Sequence, residues 1–191
     1  MKKNLGLFLA IILVQIAPFI SAADTLHPLV YKIDIKKEIS NTTRLYLSNG
    51  LAEANALGAD AVLIHMNTYG GQVDAADSMR TAILYNSIPV YVFIDNNAAS
   101  AGALISIACK KIYMRKGANI GAATVVNQTG AAMPDKYQSF MRGMMRATAE
   151  AHGRRADGSW FRDPAIAEKM VDTAGVVGFC PGGGMGGRSC G

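Results

Sequence analysis

Short apolar runs alternate with stretches of helical spacing along most of this chain, and that alternation limits its fold more than anything else. Ala61-Val62-Leu63-Ile64-His65-Met66-Asn67 and Val90-Tyr91-Val92-Phe93-Ile94-Asp95 are too short for buried helices and rich in branched and aromatic residues. They read as buried strands. Leu29 to Ile35 and Lys111 to Arg115 add two more, and helices are expected at about Ser40 to Leu57, from near Gln72, after Ser100, and around Lys136. After Gln72, Val73, Ala76, Met79 and Ile83 recur at helical spacing. Strands alternating with helices predict an α/β layered domain with parallel strands. Half of the 191 residues are apolar, enough for one sizeable core.

Two strand-to-helix corners carry unusual chemistry. The first is Thr68-Tyr69-Gly70-Gly71, where paired glycines permit backbone angles closed to other residues and a close approach to a ligand. An ordinary glycine turn is the plain alternative. The second is Asn96-Asn97-Ala98-Ala99-Ser100-Ala101-Gly102, which opens into the apolar segment Ala103 to Cys109. A serine there has an exposed hydroxyl beside the positive end of a helix, with its own N–H and that of Ala101 expected free for an oxyanion. Most serines at such corners simply cap the helix.

Further on, Pro134 and Asp135 suit the start of a helix. Tyr137, Phe140, Met141, Met144 and Met145 form an apolar stripe on it, with Lys136 on its border, where a lysine can fold over the core or, as is common, snorkel to water. The chain has three histidines. His27 precedes the first strand, His65 reads as a packed core residue, and His152 stands at a helix C-terminus, where a cation suits the dipole. With no evident Ser-His pair, a lysine base is the economical choice. Lys110 and Lys111 end the serine's own helix, Lys116 lies in a loop and Lys169 in a late polar helix, so Lys136 is the candidate. A lysine base must shed its proton, and packing against methionine and phenylalanine is the desolvation expected to achieve that.

Taken together and in order, Asn67-Thr68-Tyr69-Gly70-Gly71, Asn97-Ala98-Ala99-Ser100-Ala101-Gly102, Ile120-Gly121-Ala122 and the Lys136 helix ending Ala149-Glu150-Ala151-His152-Gly153-Arg154 resemble the N-terminal, Clp-protease-like domain of the NfeD family of membrane-associated serine proteases. The resemblance runs from about Val30 to Asp172 and keeps the interval that separates the glycine from the nucleophile in Clp proteases. It implies a Clp/crotonase-like spiral of ββα units, with Ser100 as nucleophile and Lys136 as general base. It also implies the N–H groups of Gly71 and Ala101 as the oxyanion hole, with Gly70 and Tyr69 bordering the substrate groove. Many relatives have proline where this chain has Tyr69, and Clp proteases proper carry a histidine about 25 residues after the serine, where this chain has none. The implied substrates are apolar segments of membrane-associated proteins, notably a stomatin-like partner, and the implied assembly is a homodimer or larger homo-oligomer. No cofactor or metal is implied.

Met1-Lys2-Lys3-Asn4, the apolar Leu5 to Ile20 and the small Ser21-Ala22-Ala23 read as a signal peptide over residues 1–23, cut after Ala22 or Ala23, or else as a membrane anchor. Either way the domain, residues 24–174, is expected to be exported, with its active site in the periplasm or at the membrane outside the cytoplasm. The glycine-dense residues 175–191 read as a disordered tail. They end the chain where relatives continue, so a truncated, frame-shifted or naturally short form is expected. Cys109 reads as a buried free thiol, whereas Cys180 and Cys190 can pair in an oxidising compartment. The formal net charge of +5 includes Lys2 and Lys3, and no basic stripe interleaved with aromatics suggests nucleic-acid binding. Two other classes stay open: a catalytically silent Clp-like binding or scaffold protein, and a crotonase-like CoA-ester enzyme.

Overall fold

The strands that sequence spacing predicts lie side by side in one parallel sheet. The computed structural model describes residues 27–172, so the leader, the tail, Cys180 and Cys190 lie outside the described residues. The elements run β1 (Val30–Ile35), α1 (Asn41–Ala56), β2 (Ala61–Thr68), α2 (Val73–Leu84), β3 (Val90–Ala99), α3 (Ala101–Ala108), β4 (Lys111–Met114), β5 (Asn119–Gly121), α4 (Asp135–Glu150) and α5 (Pro164–Lys169). The sheet order is β1-β2-β3-β4, and β5 also pairs with β3. Every pairing is parallel, from Val30 opposite Ala61 to Ile94 opposite Met114. Parallel neighbours need long crossovers, and the helices supply them. This is the expected α/β class.

Alternation along each strand decides which face holds the core. Ile33 and Ile35, Val62, Ile64 and Met66, and Val90, Val92 and Ile94 are buried with Leu47 and Leu51 of α1, Ala76, Met79 and Ile83 of α2, and Leu104 and Ile105 of α3. Each large side chain withdrawn from water contributes about 1.5–3 kcal/mol. All eight residues of α3 are buried, which explains why its sequence lacks a polar face. Ser40 caps α1 by accepting from Thr43 N–H, and Asp163 caps α5 through Ala165 N–H.

The opposite sheet face is polar at its centre, and it corrects the reading of His65. His65 is not in the core. Its Nδ1 lies 3.0 Å from Asp34 on β1 and its Nε2 3.3 Å from Asp95 on β3. Arg115 in turn approaches Asp95 at 2.9 Å. Alternation alone would have placed it, since the flanking Ile64 and Met66 are the residues that face the helices.

β3 also runs four residues further than its apolar stretch. Asn97, Ala98 and Ala99 pair with Asn119, Ile120 and Gly121, so the small-residue run read as a corner is strand up to Ser100. Helix α4 buries Met141, Met144 and Met145, while Gly143 lies on its exposed side with open space around its Cβ position. Gly143→Ala should therefore stabilise the domain by about 0.5–1 kcal/mol, read as an upward shift of the denaturation midpoint with an unchanged m-value.

Candidate active site

The first requirement of a nucleophilic serine, a hydroxyl not consumed by structure, is met at Ser100. It occupies the N-cap position of α3, yet its side chain makes no capping hydrogen bond. Its backbone has φ 54° and ψ −118°, a left-handed conformation that costs a non-glycine residue about 1–3 kcal/mol. Half-buried, it ends β3 and turns its side chain towards the Gly70 corner: a Cβ on Gly70 would stand 2.6 Å from Ser100 Cβ and 3.1 Å from Ser100 Oγ. Only glycine fits there, and its φ of 114° adds a second reason.

The glycine loop is fastened from behind by the segment after β1. Ile39 N–H donates to Gly70 O at 2.8 Å, and Gln72 N–H donates to Ile39 O at 2.8 Å. These bonds leave the Gly71 N–H without a main-chain partner among the described residues. The Ala101 N–H belongs to the first turn of α3, whose donors a helix cannot pair internally. The Ser100 N–H is not free, contrary to expectation. It donates to Gly121 O at 2.8 Å, so of the N–H groups expected to be open at this corner those of Gly71 and Ala101 remain. Tyr69, at the rim of the same loop, is 82% exposed.

Gly121 and Ala122, with φ of 136° and 48°, start an irregular segment that leads from Ser100 to the Lys136 helix. Ala123 N–H donates to Met170 O, and Gln138 grips Val125 through both its N–H and its carbonyl. Gln138 thereby fixes the first turn of α4, where Lys136 stands.

Lys136 departs from expectation. It is exposed, and its ammonium lies 5.0 Å from the centre of the Tyr137 ring. No hydrogen bond joins it to Ser100 among the described residues. The expected stripe divides: Met141, Met144 and Met145 turn into the core, whereas Tyr137 and Phe140 remain 39% and 60% exposed. The helix end that bears Lys136 overhangs the domain, so it lacks the apolar cover that periodicity alone suggested. Beside it lies an open hollow of about 520 Å³ bordered by Arg80, Lys136, Phe140 and Met144, and Ser100 is not among its lining residues.

The far end of α3 is closed by two side chains whose roles spacing could not reveal. His152 Nε2–H donates to Ile107 O at 2.7 Å, and the buried Arg162 donates to Cys109 O at 2.7 Å. Burial pushes the His152 pKa down, and the Arg162 charge adds to that. His152, which follows the C-terminus of α4 where a cation had been expected, is thus shifted towards the neutral form. Because its folded pKa lies below the unfolded value, its contribution is complete above about pH 6.5 and declines as pH falls below it. Denaturant titrations should show stability dropping between pH 7.5 and 5.5 in the native chain and dropping less in His152→Gln, whose amide can still donate to Ile107. Cys109 is a fully buried thiol, as expected, and burial pushes its pKa up to about 12.

Comparison with known proteins gives the family and the fold. The family model described as the N-terminal domain of NfeD1b matches residues 29–177. Membrane protein NfeD1b of Bacillus subtilis (strain 168) is 34% identical over 143 residues, covering 75% of this chain and 31% of that protein. Membrane-bound protease PH1510 of Pyrococcus horikoshii is 28% identical over 151 residues, covering 75% of this chain and 32% of that protein. The chain therefore spans about a third of the length of the curated relatives it matches.

Among solved structures, a lysine-to-alanine variant of the 1510-N membrane-bound stomatin-specific protease, in complex with a substrate peptide, superposes with a TM-score of 0.67 at 26% identity, covering 76% of this chain and 67% of that one. A serine-to-alanine variant of the same protease gives the same score and identity over 75% and 70%. ClpP1 from Listeria monocytogenes, at 21% identity and a TM-score of 0.58 over 74% and 79%, shares the fold. With a family model covering most of its length and this Clp-like architecture, the chain belongs to the NfeD1b family and carries its N-terminal domain.

Proposed function

We propose that this domain is a serine endopeptidase acting through an acyl-enzyme on Ser100. The observation that carries the proposal is the strained Ser100 corner, with a hydroxyl spared from capping and Gly70 pressed against it. Ser100 Oγ attacks the peptide carbonyl carbon while its proton passes to Lys136 Nζ. The N–H groups of Gly71 and Ala101 receive the oxyanion. Collapse of the tetrahedral species breaks the C–N bond, and the leaving amine takes the proton from Lys136. Water, deprotonated by the same lysine, then hydrolyses the ester and frees Ser100.

In this reading the cover that Lys136 needs comes from a bound apolar peptide, or from a second copy of the chain, laid over Tyr137 and Phe140. One relative supports the substrate class: PH1510 is named a membrane-bound protease, and its 1510-N structure a stomatin-specific protease in complex with a substrate peptide. Apolar segments of membrane-associated proteins, including a stomatin-like protein, are accordingly the proposed substrates of a homodimer or larger assembly. No helix among the described residues is long and apolar enough to cross a membrane. The proposed export rests on residues 1–23, and the intact mass of the mature protein tests it.

The exposed, unbonded Lys136 favours a second reading, a catalytically silent binding protein of the same fold. A fluorophosphonate separates the two. An adduct at Ser100 supports the protease, and an unmodified Ser100 in folded protein supports the silent relative.

A further inference from the structure

We infer that the Thr68 hydroxyl is a positioning group that, together with the Ile39 backbone, keeps the Gly71 N–H in line for an oxyanion. The inference rests on the protease reading above and deepens it. Thr68 is the last residue of β2 and only 2% exposed. Its Oγ1 donates to Lys37 O at 2.8 Å and accepts the Gly70 N–H at 3.1 Å. One hydroxyl thus ties the segment after β1 to the peptide just before the proposed oxyanion donor.

Its methyl group is placed as tightly. A Cβ added to Gly102 would stand 2.5 Å from Thr68 Cγ2, so Thr68 also packs against the first turn of α3, next to Ala101. The two proposed oxyanion donors come from separate elements, and this side chain touches the support of each. The Gly70-Gly71 pair has φ of 114° and 150°, a region where glycine is free to swing. Ile39 holds the Gly70 carbonyl and the Gln72 N–H, and Thr68 holds the remaining end, the Gly70 N–H. The Gly70 carbonyl and the Gly71 N–H share one planar peptide, which Ile39 holds at the carbonyl. Without the clip on the preceding Tyr69–Gly70 peptide that plane can tilt about the Ile39 bond, and the Gly71 N–H leaves the line on which an oxyanion forms. A purely structural role, filling hydrogen bonds at a buried strand end, would change stability and leave turnover per folded molecule intact.

Thr68→Val and Thr68→Ser, made in the full chain, separate these roles. Val keeps the shape and removes the hydroxyl, whereas Ser keeps the hydroxyl and removes the methyl. On an apolar peptide, Thr68→Val should lose about 100-fold in kcat with little change in KM, and Thr68→Ser should stay within about threefold of the native chain. A folded Thr68→Val with native kcat overturns the inference, as does a Thr68→Ser that falls equally far. Should Thr68→Val not fold, the serine variant decides: near-native kcat supports the hydroxyl's role, and a loss of about 100-fold contradicts it. Hydrogen exchange at the Gly70 N–H gives a readout independent of turnover. Exchange at least about tenfold faster in Thr68→Val, with β2 and β3 amides unchanged, supports the clip, and unchanged exchange refutes it. If the native chain shows no Ser100-dependent cleavage, the protease reading itself fails and the positioning role falls with it, even where the exchange result stands.

Discussion

Ser100→Ala should reduce peptide cleavage by at least about 10⁴-fold while leaving the thermal midpoint unchanged or raised. The loss follows from removing the only atom that can form the ester, since water attacking directly lacks both the placement and the adjacent base. The stability follows from what the hydroxyl does not do: it makes no capping bond, so the folded state loses no hydrogen bond with it. Alanine at φ 54° bears the same backbone strain as serine. Lys136→Ala should fall by a comparable factor, because a nucleophile and its base act as one unit and their losses do not add. The double variant should accordingly be no slower than either single one. Stopped and continuous assays on an internally quenched apolar peptide check all three. Full activity in Lys136→Ala would transfer the base to another group.

Gly71→Ala should be the most damaging added methyl among the described glycines. A Cβ there would sit 2.1 Å from Ile39 O and 2.7 Å from Ile39 N, and both contacts are backbone, which cannot swing aside as a side chain does. The φ of 150° adds strain. Relief requires the loop to pull away from Ile39, breaking the two main-chain bonds that hold it. A cost of about 3 kcal/mol is expected, which for a domain of this size corresponds to a midpoint lowered by about 6–12 °C. Cleavage should be lost along with it, because the displaced loop carries the proposed oxyanion donor. Gly143→Ala, with nothing within 4 Å of its added methyl, is the matched control. Calorimetry and the same peptide assay on both variants check the contrast.

The fold was readable in the sequence because its strands are buried on the helix-bearing face and its crossovers are periodic. Val62, Ile64 and Met66, then Val90, Val92 and Ile94, announce a buried sheet before any coordinate is known. Helix α1, expected at about Ser40 to Leu57, runs from Asn41 to Ala56. The end of β3 was less legible, since Asn96 to Ala99 carry no apolar pattern and the strand continues because Asn97 to Ala99 pair with β5, 22 residues on, and Ala98 with Thr68 of β2. His65 shows the opposite error, a position assigned to the core by its neighbours' hydrophobicity although period-two alternation points it the other way.

At the candidate site, local features were legible in the sequence and non-local ones were not. The Ser100 corner and the glycine pair were visible because each is a contiguous motif with its own steric logic. That the Ser100 N–H is taken by Gly121, or that the Thr68 hydroxyl is anchored on Lys37 O, depends on partners 21 and 31 residues distant, which no local pattern encodes. Lys136 is the instructive case. Helical periodicity correctly puts it at the edge of an apolar stripe, but a stripe says which residues share a face, not how far the covering domain extends along it. Here the cover stops at Met141, one turn short of the lysine.

The central claim is that Ser100 becomes an ester during turnover. The direct test is to quench the native chain while it processes an apolar peptide ester and to locate the acylated residue by mass spectrometry. The account predicts the substrate's acyl group on Ser100 and its absence from Ser100→Ala. Turnover with Ser100 unmodified and the acyl group elsewhere, or no acylation of a folded chain at all, would contradict it.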